Sequence, residues 1–306
     1  MHDSMACKLS VCKTMDQVIT LPDGRQLGYC LYGQPEGKPC LYFHGTPSSR
    51  LEPQLLAAYD IDLNLLLYKA NLYLIAVDRP GMGLSTFNPK GGYLSFASDL
   101  LQLLQHLGIT NCPVLAWSGG GPYALAIAHQ YPQFISLVSI ICGFTRPFAP
   151  DVLQLMGMNK WYFQLAKRTP WLLKPSMNII RKQDTKNAPP QWITGLPYVD
   201  YAYFRHPKHL RTLSQLTLKE ACRKGTRGPV YEASSYFNDF GFTLASIQQP
   251  IHYWWGLEDM TVIRLHAEAI EQQAPNAIMH YREKEGHLSL YVNCFEEVLQ
   301  TIVAVS

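Results

Sequence analysis

"AWSGGGPYALA", residues 116–126, sets one serine among small residues, with an apolar run before it and a helical pattern after it. The preceding run, "CPVLAWS" (112–118), shows little alternation, as a strand buried on both faces does. A strand that ends in a serine and turns at once into a helix forces that serine into a strained backbone conformation. The turn is tolerated only where the residues two before and two after are small, and here they are Ala116 and Gly120. It lifts the Ser118 hydroxyl above the carboxyl edge of a sheet and aims the free N–H groups and partial positive charge of the next helix at it. A glycine-rich turn with Ser118 as a plain N-cap satisfies the same stretch, so the rest of the chain has to decide.

Working outward, "PCLYF" (39–43), "LYLIAVD" (72–78) and "ISLVSIICG" (135–143) are buried-strand runs of the same kind, and "QVITL" and "QLGYCLYG" flank a hairpin signal at Pro22-Asp23-Gly24. In "SFASDLLQLLQHLG" the residues Ala97, Leu100, Leu101, Leu104 and Leu107 recur at helical spacing and Gly108 supplies the stop. The pattern predicts a parallel sheet with crossover helices. It breaks from Thr145 to about Ala245, where aromatics, prolines and short helical pieces dominate. It then resumes with "PIHYWWG" (250–256), a helix through "TVIRLHAEAIEQQA", the strand "AIMHYRE" and a last helix over about 288–304. The predicted organisation is an N-terminal extension over 1–15, an α/β core over 16–145 and 246–306, and a helical cap inserted over 146–245.

Composition narrows the function classes. The 306 residues are 47% hydrophobic and 16% charged, as in a globular protein, and a net charge of +3 with scattered cations argues against nucleic acid binding. The basic stretch "ACRKGTRGPV" (221–230) reads as a solvated loop. Of the eight cysteines, Cys30, Cys40, Cys112 and Cys142 fall in or beside strand-like runs, which predicts buried reduced thiols. There is no CxxC or Cys/His metal spacing. Residues 1–14 lack a long apolar core, and no run reaches the roughly 18 apolar residues of a membrane span, so the expected location is cytoplasmic.

A serine hydroxyl needs a base to take its proton and a third group to hold that base's tautomer. His287 in "EKEGHLSL" follows the last strand and precedes the last helix, at the sheet's carboxyl edge. Asp259 in "WWGLEDM" follows the penultimate strand, with Glu258 as the alternative acid. The order Ser118, Asp259, His287 is that of one hydrolase fold and differs from the trypsin and subtilisin orders. In "FHGTPSS", Gly45 and Thr46 can bend the chain so that the Thr46 N–H joins that of Gly119 around an oxyanion, while His44 packs beneath the loop.

Together "HGTP" (44–47), "DRPGMGLS" (78–85), "AWSGGGP" (116–122), "GLED" (256–259) and "GH" (286–287) resemble the α/β-hydrolase superfamily. The resemblance implies a mostly parallel eight-stranded sheet with a lid after the sixth strand. It also implies Ser118 as nucleophile, Asp259 as acid, His287 as base, and Thr46 and Gly119 as oxyanion donors. A serine nucleophile argues against the epoxide hydrolase and haloalkane dehalogenase branches, and the absence of "HGGPG" argues against proline iminopeptidase activity. Ester or related acyl hydrolysis is the leading expectation, on a small-molecule substrate with a hydrophobic group, and this chemistry requires neither a metal nor a cofactor. Trp117, Trp161, Trp192 and Phe204 are the pocket candidates, although the same aromatics suit a core of the lid's own. Carbon-carbon bond hydrolysis, cofactor-free peroxide chemistry and a slow-turnover ligand receptor stay open on the same framework.

Overall fold

A computed structural model of the chain describes residues 15–157, 159–182, 196–205 and 207–305. The hairpin signal forms as expected: β1 (Met15–Thr20) pairs antiparallel with β2 (Gln26–Gly33), and Gly24 takes the left-handed conformation that the turn needs. Since β1 starts at Met15, that residue belongs to the sheet and not to an extension over 1–15; residues 1–14 lie outside the described residues.

The remaining strands are β3 (Lys38–Phe43), β4 (Leu72–Val77), β5 (Cys112–Trp117), β6 (Ile135–Ile141), β7 (Ile251–Gly256) and β8 (Ala277–Arg282). They form one eight-stranded sheet in the order β1-β2-β4-β3-β5-β6-β7-β8, with every pair from β4 to β8 parallel. Every residue of β5 and β7 is buried, which is why these runs show no alternation.

Helices α1 (Leu63–Ala70), α2 (Tyr93–His106) and α3 (Gly121–Gln130) make the crossovers of the first half. Helix α2 begins two residues before the quoted pattern, because the Gly92 N–H donates to Ser95 Oγ at 2.7 Å and closes the first turn there. The chain between β6 and β7 forms α4 (Pro150–Leu155), α5 (Asn159–Arg168), α6 (Pro170–Ile180), α7 (Tyr198–Phe204), α8 (Pro207–Ser214) and α9 (Arg227–Ser235). Phe148, Phe163 and Tyr236 pack edge-on or stacked at the root of this insertion. The stretch 221–230 is no solvated loop: Ala221, Cys222 and Val230 are buried, and Arg227 lies over the Phe87 ring.

Helix α10 (Arg264–Gln273) and helix α11 (His287–Val305) complete the core. By length and composition α11 is apolar enough to cross a bilayer, but it buries Leu290, Phe295, Val298 and Ile302 and packs on β6 and β7. Cys30, Cys40, Cys112, Cys142, Cys222 and Cys294 are buried free thiols.

Candidate active site

The site lies where the strand order reverses, between β3 and β5, with Phe43 beside Ala116 in register. The loops leaving these two strands therefore meet at their carboxyl ends. Ser118 has φ +52°, the strained left-handed geometry of a sharp strand-to-helix turn, and leads through a short 3-10 turn into α3. The two residues after it must be small for different reasons. A Cβ at Gly120 would run into the Phe43 carbonyl oxygen, and one at Gly119 would lie 2.5 Å from the Tyr236 hydroxyl and 2.6 Å from Thr46 Cγ2. Gly119 and Thr46 thus face each other beside the serine.

His287 is the first residue of α11, and its Nε2 lies 3.0 Å from Ser118 Oγ. Its Nδ1 lies 2.8 Å from Asp259 Oδ2. Since a carboxylate only accepts, Nδ1 carries a proton and Nε2 is left to accept from the serine. Asp259 is fully buried at its side chain, and its Oδ1 accepts the N–H groups of Thr261 (2.7 Å) and Val262 (2.9 Å). Glu258 is exposed in the same turn. Burial opposes charging of the His287 ring, but the Asp259 carboxylate, helped by Asp200 and Glu52, outweighs it and raises the histidine's pKa above its ordinary value.

Several supporting residues carry no signal in the sequence. Asp200, on α7, is buried, and its carboxylate accepts the backbone N–H groups of His287 (2.8 Å), Leu288 (2.9 Å) and Ser289 (2.9 Å). The insertion thereby caps the helix that bears the histidine. Glu232, on α9, pairs with Arg79 and accepts from Thr46 Oγ1 at 2.5 Å. Arg79 also donates to the carbonyls of His44 and Gly45, so this residue of "DRPGMGLS" holds the loop after β3. Tyr236 donates to the Gly119 carbonyl at 2.9 Å.

Beneath the loop after β3, Glu52 accepts from the Gly45 N–H (2.8 and 3.0 Å) and from the Tyr42 hydroxyl (2.7 Å). Burial pushes its pKa up to about 7. His44 is fully buried with Nδ1 2.8 Å from the Gly45 carbonyl oxygen, and burial lowers its pKa.

The four pocket candidates fare differently. Trp117 is buried and stacks on His287 and Tyr291, so it backs the imidazole. Trp161, on α5, is 71% exposed. Phe204 is half-buried at the end of α7, and Trp192 lies outside the described residues. The donor atoms of Cys142, Asp259 and His287 lie within 4.8 Å of one another. Burial drives the Cys142 thiol well above its ordinary pKa and Asp259 is already committed to hydrogen bonds, so the trio makes a poor metal site.

An eight-stranded sheet of this order, with a serine on a strained turn after β5, defines an α/β hydrolase. The family model of the alpha/beta hydrolase fold matches residues 39–293, and the chain belongs to that family. Among curated proteins it is 31% identical over 142 residues to the sn-1-specific diacylglycerol lipase ABHD11 of Xenopus laevis, covering 45% of this chain and 44% of the lipase. It is 24% identical over 282 residues to the uncharacterized hydrolase YugF of Bacillus subtilis, covering 87% and 89%. The chain spans about half the length of the first curated relatives it matches. Among solved structures, a thermophilic esterase from Thermogutta terrifontis superposes with a TM-score of 0.65 at 21% identity, covering 94% of this chain and 96% of the esterase.

Proposed function

We propose that the protein is a serine hydrolase that cleaves an ester or related acyl bond through a covalent acyl-Ser118 intermediate. The observation that carries this reading is the unbroken hydrogen-bonded line from Ser118 Oγ through His287 to Asp259. His287 Nε2 takes the hydroxyl proton as Oγ attacks the carbonyl carbon, and Asp259 holds the imidazolium that forms. The oxyanion of the tetrahedral intermediate is received by the N–H groups of Gly119 and Thr46, with the N-terminus of α3 behind them. Collapse expels the alcohol, which takes the proton from His287. The same nitrogen then deprotonates a water that attacks the acyl carbon, and Ser118 regains its proton as the acid leaves.

The helical insertion serves as a cap over this centre, and its residues Asp200, Glu232 and Tyr236 fix the geometry from above. The partial match to a diacylglycerol lipase supports a small-molecule substrate with a hydrophobic acyl or alcohol part. Intact-mass labelling with a fluorophosphonate tests the reading: one adduct on the wild type and none on Ser118→Ala is expected. A folded wild type that takes no adduct and hydrolyses no member of an acyl ester series would overturn it.

A further inference from the structure

Helices α5 and α6 pack against each other, and each already buries an apolar stripe, Phe163 and Ala166 on α5 and Leu173 and Met177 on α6. Each also carries a second apolar stripe that faces water. On α5 it is Trp161 and Leu165, four apart, and on α6 it is Leu172 and Ile179, seven apart, with Trp171 at the start of the helix. Trp161 and Trp171 are 71% and 67% exposed, and Ile179 is 62% exposed. Folding does not require these side chains outside, and surface helices of soluble domains normally keep that side polar.

The charge of the same segment is one-sided. Residues 152–182 contain Lys160, Lys167, Arg168, Lys174, Arg181 and Lys182 and no aspartate or glutamate, in a chain whose acids number 23. Arg168 and Lys174 are exposed on the same two helices as the tryptophans, while the Lys167 ammonium lies over the Phe237 ring. Indole rings that bury an apolar body while keeping an N–H at a wet boundary, with cations around them, match the headgroup region of an anionic bilayer. A second copy of the chain fits less well, because a symmetric contact would lay this cationic face on itself.

We propose that the outward face of α5 and α6 docks the protein on an anionic lipid surface. The inference does not depend on the hydrolase reading, since it concerns binding alone. Docking places the insertion, and with it the elements that frame Ser118, at the boundary where esters with long apolar chains reside.

Flotation with vesicles tests it, using phosphatidylcholine alone and equal parts phosphatidylcholine and phosphatidylglycerol. The expected result is flotation only with the anionic vesicles, reversed by high salt and lost in Trp161→Ala/Trp171→Ala. Arg168→Gln/Lys174→Gln is expected to bind about 30-fold more weakly, from the usual gain per cation near an anionic surface. Unchanged melting temperatures of both variants separate lost docking from lost folding. Absence of wild-type flotation, or retention of binding by the tryptophan variant, overturns the proposal. So does a concentration-dependent dimer in light scattering that the tryptophan changes abolish while vesicles go unbound, which gives the face to a second copy.

Discussion

The carboxylate of Asp200, on an insertion helix, accepts the backbone N–H of His287 at 2.8 Å, although 87 residues separate the two. It also takes the next two N–H groups of α11, so one buried side chain fixes where the histidine's helix begins. Asp200→Asn keeps an acceptor but loses the charge and the paired geometry. Turnover is expected to fall by roughly tenfold to a hundredfold, as small displacements of a catalytic group do. The acid limb of the pH profile should also move to lower pH, because Asp200 is one of the charges that favour the imidazolium. A fall in turnover with the limb unmoved would assign Asp200 a packing role only.

For His287 itself the sign is fixed by its task. The base must be neutral to take the Ser118 proton, and its pKa is raised, so kcat/KM should fall as pH drops through a value above that of an ordinary histidine. Asp259→Asn should lower kcat about ten-thousandfold, since an amide no longer enforces the productive tautomer. Near-wild-type turnover of that variant in steady-state assays would remove Asp259 from the mechanism.

Gly119→Ala tests the oxyanion site. The added methyl would press on Thr46 and the Tyr236 hydroxyl, displacing the two N–H donors relative to each other. The expected outcome is a loss of about a hundredfold to a thousandfold in kcat with KM little changed. A change confined to KM would place substrate binding, and not the oxyanion, at this contact.

Glu52 makes stability depend on pH. Its pKa rises from 4.5 to about 7 on folding, so between those values the native state binds more protons than the unfolded chain. Stability then falls as pH rises through that window, by up to about 3 kcal/mol. Glu52→Gln stays neutral throughout, so its melting temperature relative to wild type should be higher at pH 8 than at pH 5. A constant difference between the two variants across that range would contradict the buried neutral carboxyl.

The sheet was legible because its central strands are buried on both faces and announce themselves as unbroken apolar runs, as in "LYLIAVD" and "CPVLAWS". Ser118, Asp259 and His287 could be named because each sits just past a strand, where chain order and the carboxyl edge restrict the choices. Asp200 and Glu232 could not, because an acid in "PYVDYAY" or "VYEASS" looks the same whether it faces water or meets a partner 87 or 153 residues away. Nor does composition reveal which side of a short helix is covered. Trp161, which the sequence offers equally to a pocket roof or to the insertion's own core, is 71% exposed.

The hydrogen bond between Ser118 and His287 closes an interval of 169 residues, and the whole insertion lies inside it. A chain emerging from the ribosome displays its elbow long before it owns a base. Until the final helix settles against the sheet, the His287 imidazole is not held beside that hydroxyl. On the proposed mechanism, a serine that reacts reports a chain in which this remote contact has already closed. The rate at which a nascent or refolding chain becomes labelled would clock its own maturation.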